Sequence, residues 1–160
     1  MDFLILVDYF SKYMIVRKLP NSTAQAVIQE CKKVFAEQGK PFILRSDNGP
    51  CYRSSEFQKF MKDADIQQST SSPYYAESNG LAESMVKVAK ASMKKSVKDG
   101  KAWHEGLLDY RTTPQHPNIP SPAELFFGRK IRSSITVSHL QLVNRNSLEN
   151  REKLFELDNK

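Results

Sequence analysis

Cysteine, histidine and long apolar runs are all scarce in this 160-residue chain, and each shortage closes off a class of function. Cys31 and Cys51 are the only two cysteines, too few for a zinc cluster or a disulfide framework. His104, His116 and His139 are scattered and lack ligand-spaced partners, so they read as surface or loop residues. No apolar run approaches the roughly 18 residues a membrane-spanning helix needs. The run Phe3-Leu4-Ile5-Leu6-Val7 is too short for the apolar region of a signal peptide and has no basic lead-in. Internal repeats and low-complexity tracts are absent. The chain reads as intracellular and reduced, with no membrane partner and no small-molecule substrate. What is present is ordinary for one domain of 18.3 kDa, with 39% apolar and 26% charged residues. The net charge of +6 and pI near 9.3 favour a polyanionic partner.

Patterning predicts an α/β order. Residues 3–7 read as a buried strand ending at Asp8, Ser11-Lys12 as a turn, and Tyr13 to Lys18 as the hairpin partner. A helix follows, with Val27, Cys31, Val34 and Phe35 on one face and Gly39-Lys40-Pro41 as its stop. Phe42 to Leu44 is a strand that delivers Asp47 at its end. Glu56 to Ala64 is a short helix carrying Phe57, Phe60 and Met61, and Ile66 to Thr70 is a further strand. Ser71 to Gly80 reads as a loop, with Asn79 as cap of a long helix from Leu81 to Lys98. On that helix Glu83, Lys87, Lys90, Lys94 and Lys98 fall within roughly an 80° stripe. Ala82, Val86, Ala89, Met93 and Val97 form an adjacent apolar stripe expected to face the core. A helix over Ala102–Tyr110 is anchored by Trp103, Leu107 and Tyr110. Ser121-Pro122-Ala123-Glu124 is a capping box that opens a short helix closed by Gly128. Residues 137–160 read as a polar extension or terminal helix.

Two clusters stand out. Arg45-Ser46-Asp47-Asn48-Gly49-Pro50 holds one carboxylate. Ser72-Pro73-Tyr74-Tyr75-Ala76-Glu77-Ser78-Asn79-Gly80-Leu81-Ala82-Glu83 holds another, with 35 residues between Asp47 and Glu83. Carboxylates from a strand end and a helix can share a divalent metal, and paired metals drive phosphoryl transfer on nucleic acids. Asn48-Gly49 alone is a plain turn; beside Asp47 its glycine lets backbone approach a substrate closely. A helix N-terminus near Glu83 favours phosphate. Lysines on a helix are as well explained by a solvated face, and Glu83 at the head of their stripe is what favours DNA. Arg111, Arg129 and Arg132 could serve DNA, with surface charge the plainer reading.

Five words in order carry a resemblance: Asp8-Tyr9-Phe10-Ser11-Lys12-Tyr13, Ser46-Asp47-Asn48-Gly49-Pro50, Ser78-Asn79-Gly80-Leu81-Ala82-Glu83, Tyr110-Arg111-Thr112-Thr113-Pro114 and Ser121-Pro122-Ala123-Glu124-Leu125-Phe126-Phe127-Gly128-Arg129. Over about residues 3–135 the chain resembles the integrase core of gypsy-type long-terminal-repeat retrotransposons. The resemblance implies an α/β, ribonuclease H-like mixed sheet flanked by helices, within a core domain of residues 1–136. It also implies a D,D-35-E polynucleotidyl transferase that trims DNA 3′ ends and joins them to target DNA in the nucleus. Asp47 and Glu83 match the second and third metal carboxylates, for Mg²⁺ or Mn²⁺. Lys87, Lys90, Lys94, Asn48 and Asn79 are the expected DNA contacts, and a homodimer or higher oligomer is the expected assembly.

The first family carboxylate has no match in this sequence. The expectation is that it lies on a central strand upstream of residue 1, whose absence leaves two neighbouring strands short of a ladder partner. Asp8 is the substitute to test; antiparallel pairing would set it at the strand end away from the metals. Asp2 is expected in a turn. Tyr75-Ala76-Glu77 stands where the family has His-Pro-Gln, and Cys51-Tyr52 where it has Gln-Phe, both beside the expected site. Two readings follow: an integrase core, inactive as given, or a host-retained relic that binds nucleic acid or dimerises. A ribonuclease H-like nuclease fits the Asn-Gly words less well.

Overall fold

The computed structural model describes residues 2–70, 76–133 and Leu142, without the side chains of 76–83, 85, 86 and 89. The expected terminal helix in 137–160 and His139 lie outside the described residues. The chain divides into two compact units, one of residues 1–6 and 15–86, the other of residues 7–14 and 87–160.

In the first unit, β1 (Asp2–Val7) and β2 (Met14–Leu19) are hydrogen-bonded neighbours. Strand β2 alternates over Met14 to Arg17, with Met14 and Val16 buried and Ile15 and Arg17 half-buried, and the alternation breaks at its end, where Lys18 is exposed and Leu19 buried. Asp2 is a strand residue, not part of a turn, and its Oδ2 accepts from Ser22 Oγ (3.0 Å). Helix α1 (Ala24–Gln38) starts at Thr23, whose hydroxyl accepts from Ala26 N (3.4 Å). It buries Val27, Ile28, Cys31 and Val34 and stops at Gly39, where φ is 92°. Strand β3 (Ile43–Ser46) leads to α2 (Pro50–Arg53), then to α3 (Ser55–Asp63) and β4 (Gln67–Thr70). The Ser54 hydroxyl caps α3 by accepting from Phe57 N (3.2 Å).

Strands β3 and β4 pair in parallel, with Ile43 opposite Gln67 and Ser46 opposite Thr70. Leu4, Leu19, Val27, Ile28, Cys31, Leu44, Phe57, Met61 and Ile66 form one core. Burial of that apolar surface drives the assembly. Among the described residues the strands form two separate two-stranded sheets, not one mixed sheet. β1 and β3 share a core but not a ladder. The short α2 was not foreseen, because four residues cannot display a helical period.

Helix α4 (Ala76–Lys98) begins five residues before the expected Leu81. Asn79 therefore lies within the helix and is not its N-cap. The loop reading of 76–80 rested on the turn preference of Ser78, Asn79 and Gly80, and the long helix overrides that preference. Among the described residues no helix is long and apolar enough to cross a membrane.

The second unit contains the turn joining β1 to β2, α5 (Trp103–Thr112) and α6 (Pro122–Phe127). Ser121 Oγ accepts from Glu124 N (3.3 Å), which is the serine half of the expected capping box without the return bond from the Glu124 carboxylate, and Gly128 closes α6 with φ 68° as expected. Helix α5 buries Leu107 and Tyr110, but Trp103 is only half-buried, its ring edge-on to His104 at the exposed start of the helix. Val97 is 60% exposed and does not face the core. The residue buried nearby is Ser96, because Gly106 brings α5 against that side of α4. Ser92 Oγ donates to Gly106 O (2.7 Å).

A Cβ at Gly106 would overlap Ser96 Oγ and lie 2.6 Å from the Ser92 carbonyl oxygen, which is backbone and cannot give way cheaply. Gly106→Ala should therefore lower stability by about 1–3 kcal/mol, read as a lower midpoint in urea unfolding. An unchanged midpoint would mean that α4 and α5 are not in this close contact.

Candidate metal and nucleic-acid site

The ladder with β4 carries β3 to Ser46, and the next residue, Asp47, stands exposed at the strand's C-terminal end. Its Oδ1 accepts from Gly49 N (2.9 Å), an Asx turn that fixes the carboxylate. A Cβ on Gly49 would lie 2.9 Å from that same oxygen, so a side chain there would push the carboxylate aside; the glycine serves closeness, not an unusual φ. Oδ2 takes no hydrogen bond among the described residues. A hard, exposed oxygen of this kind suits Mg²⁺ or Mn²⁺. Asn48 is exposed beside it.

Behind Asp47, Tyr52 packs edge-on against Phe57 (5.3 Å between centroids). Burial, then the neighbouring Cys51 and Asp47, push the Tyr52 hydroxyl up to about 12. Burial and then Asp47 also raise the Cys51 thiol. Cys31 is core, as expected, and burial first of all pushes its thiol up to about 12. Gln68 was missed by the sequence reading. Its Nε2 donates to Tyr52 O (2.8 Å) and Ser46 Oγ (3.4 Å), bracketing the Asp47 turn from both sides. No signal in the sequence marks it, because Gln68 is half-buried only once β4 has formed.

Glu83 and Asn79 lie on α4, with their side chains outside the description. Lys87, Lys90 and Lys94 are exposed on the same helix. Among the described residues, no group of three His, Cys, Asp or Glu is placed to hold a metal. Asp8 is engaged in its own turn: Oδ2 accepts from Ser11 N (2.8 Å) and Ser11 Oγ (2.6 Å). Arg111 is not loose surface charge. Its Nε and Nη2 donate to Met14 O (2.8 and 2.6 Å), and the guanidinium lies 4.6 Å from the Tyr13 ring centroid. Arg129 and Arg132 are exposed.

Residues 1–76 match the integrase core domain family. An uncharacterized protein of Caenorhabditis elegans is 33% identical over 139 residues, covering 84% of this chain and 11% of that protein. The chain thus spans about a tenth of the length of the curated relatives it matches. Among solved structures, the catalytic core domain of BIV integrase superposes with a TM-score of 0.66 at 20% identity, covering 78% of this chain and 84% of that one. The HTLV-2 integrase catalytic core domain in complex with magnesium, in a trimeric form, gives 0.65 at 24% identity, covering 78% and 83%. The fold is therefore that of integrase catalytic cores, which is ribonuclease H-like.

The Cys51 thiol reports on the Asp47 charge. A raised thiol pKa leaves less thiolate at a given pH. Asp47→Asn removes the carboxylate's share of that rise, so the pKa falls and the pH profile of iodoacetamide alkylation at Cys51 moves to lower pH. Cys31, buried, should stay unreacted. An unmoved Cys51 profile would mean the Asp47 carboxylate does not lie beside it.

Proposed function

We propose, for a chain whose residues 1–76 belong to the integrase core family, that it is the DNA-handling core of a gypsy-type retrotransposon integrase. Its core domain is taken as residues 1–136 and its place of action as the nucleus. The observation that carries this reading is the setting of Asp47: an exposed carboxylate at a strand end, fixed by Gly49, inside the family-matched segment. Asp47 and Glu83 are the residues that would hold Mg²⁺ or Mn²⁺, and the magnesium complex of the HTLV-2 core supports that choice of ion. When bound, such ions activate the attacking oxygen and stabilise the leaving one.

The chain's own residues do the rest. Gly49 holds one carboxylate oxygen in place. Gln68 fixes the turn behind it. Lys87, Lys90 and Lys94 offer ammonium groups to DNA phosphates, with Asn48 and Asn79 as polar contacts. Self-association is part of the proposal, given the trimeric form of the HTLV-2 core.

Phosphate contacts contribute a salt-dependent, sequence-independent share of affinity. Replacing Lys87 and Lys90 together by Glu should weaken duplex DNA binding whatever its sequence. It should also flatten the slope of log affinity against log salt by about 2, measured by fluorescence anisotropy over a salt series. An unaltered slope would leave the stripe merely solvated.

Residues 1–160 carry two carboxylates that match the family motif, and Asp8 is occupied by Ser11. A symmetric clamp on attacking and leaving oxygens needs more than one Asp–Glu pair. The expected result with purified residues 1–160, DNA and Mn²⁺ is therefore binding without strand transfer. Strand transfer that Asp8→Asn abolishes would overturn this and make Asp8 the third ligand.

A further inference from the structure

The turn between β1 and β2 satisfies its own polar groups and leaves two aromatic rings outside. Ser11 is 1% exposed, and its hydroxyl donates to Asp8 Oδ2 while accepting from Tyr13 N (3.1 Å). Asp8 N donates to Tyr13 O and Lys12 N to Asp8 O, both at 2.9 Å. Lys12 is held at φ 62°, a left-handed conformation that a residue with a long side chain adopts only when its surroundings impose it. The imposing contact comes from α5, where Tyr110 Oη donates to Lys12 O (3.0 Å). Arg111 secures the next carbonyl but one, at Met14. Tyr9 and Phe10, 70% and 76% exposed, are thus displayed on a rigid support.

The chemistry around the rings is cationic. Lys12 Nζ donates to Tyr9 O and lies over the Tyr9 ring, 4.3 Å from its centroid, which places an ammonium at an exposed aromatic side chain. Tyr13 leads out of the turn and stacks on Phe126 (4.5 Å) and edge-on to Phe127 (5.3 Å). From that end of α6 the chain continues through exposed Arg129, Lys130 and Arg132. The carboxylate within the turn, Asp8, faces inward onto Ser11 and does not oppose an anion. Exposed rings with cations alongside match unpaired nucleotides, whose bases offer a stacking face and whose phosphates offer charge. A duplex keeps its base faces covered by their neighbours.

We propose that Tyr9, Phe10 and Lys12, with Arg129, Lys130 and Arg132, form a binding site for single-stranded DNA in the second unit. Bases stack on Tyr9 and Phe10, and phosphates pair with the cations. This rests on the reading of the chain as DNA-handling, but it uses none of the residues assigned above to metal or duplex.

The test uses residues 1–160, labelled oligo-dT and a duplex, with anisotropy as readout. Tyr9→Ala with Phe10→Ala should weaken oligo-dT binding by about tenfold or more, given what stacking contributes per base. Duplex affinity should stay within about twofold and the unfolding midpoint should be unchanged, because neither ring is buried. Tyr9→Trp with Phe10→Tyr should restore oligo-dT binding. Equal oligo-dT affinity in wild type and the double alanine variant, with duplex binding intact, overturns this site and leaves the DNA-handling reading standing. Failure of wild type to bind either DNA removes both. An acidic, aromatic-containing peptide that binds wild type but not the double alanine variant, with oligo-dT binding unaffected, overturns the proposal in favour of a protein partner.

Discussion

The parallel register of β3 and β4 is the constraint on which the position of Asp47 depends. Each strand is only four residues long, too short to hold itself together. Leu44 from β3, Ile66 just ahead of β4, and Phe57 and Met61 from the intervening α3 bury their side chains in one core. Apolar burial, not the ladder, therefore locks the register. That register ends β3 opposite Thr70 and puts Asp47 one residue beyond the last pair. The carboxylate is placed by a core that it does not touch.

The turn after β3 adds what packing cannot. A free aspartate at a strand end samples several rotamers. The Gly49 amide takes one oxygen, and Gln68 holds the carbonyl of Tyr52 and the hydroxyl of Ser46 on either side. Tyr52 and Cys51 pack against the core on the same side, so the Asp47 turn is backed by apolar surface. Cys51-Tyr52 departs from the family word, yet the tyrosine still packs edge-on to Phe57.

Much of this was legible in the sequence because it is periodic or capped. Val27, Cys31 and Val34 announce α1, and Ser121-Pro122-Ala123-Glu124 announces α6, by mechanisms that act within a few residues. What escaped is non-local. Val97 lies on an apolar stripe, but what α4 buries is decided by Gly106, ten residues downstream of Ser96, letting another helix close on Ser92 and Ser96. The start of α4 at Ala76 overrides the turn preference of Asn79-Gly80. Gln68 carries no motif, so its hold on the Asp47 turn could be seen only once β4 was folded against α2. Asp47 itself was legible because its word combines a carboxylate with the glycine that fixes it.

The cations divide by the same logic. A guanidinium offers five donors in a planar fork, which suits it to a carbonyl and a ring at once. Arg111 does both, with Met14 O and Tyr13. Its place in the Tyr110-Arg111-Thr112-Thr113-Pro114 word thus follows from the turn it secures, and Tyr110 supports the same turn through Lys12 O. Lys87, Lys90 and Lys94 lie exposed on α4, where a flexible ammonium keeps its hydration until a phosphate arrives. Charge that completes the fold is thereby separated from charge left free to answer a polyanion. The net +6 of the chain overstates the second by counting the first.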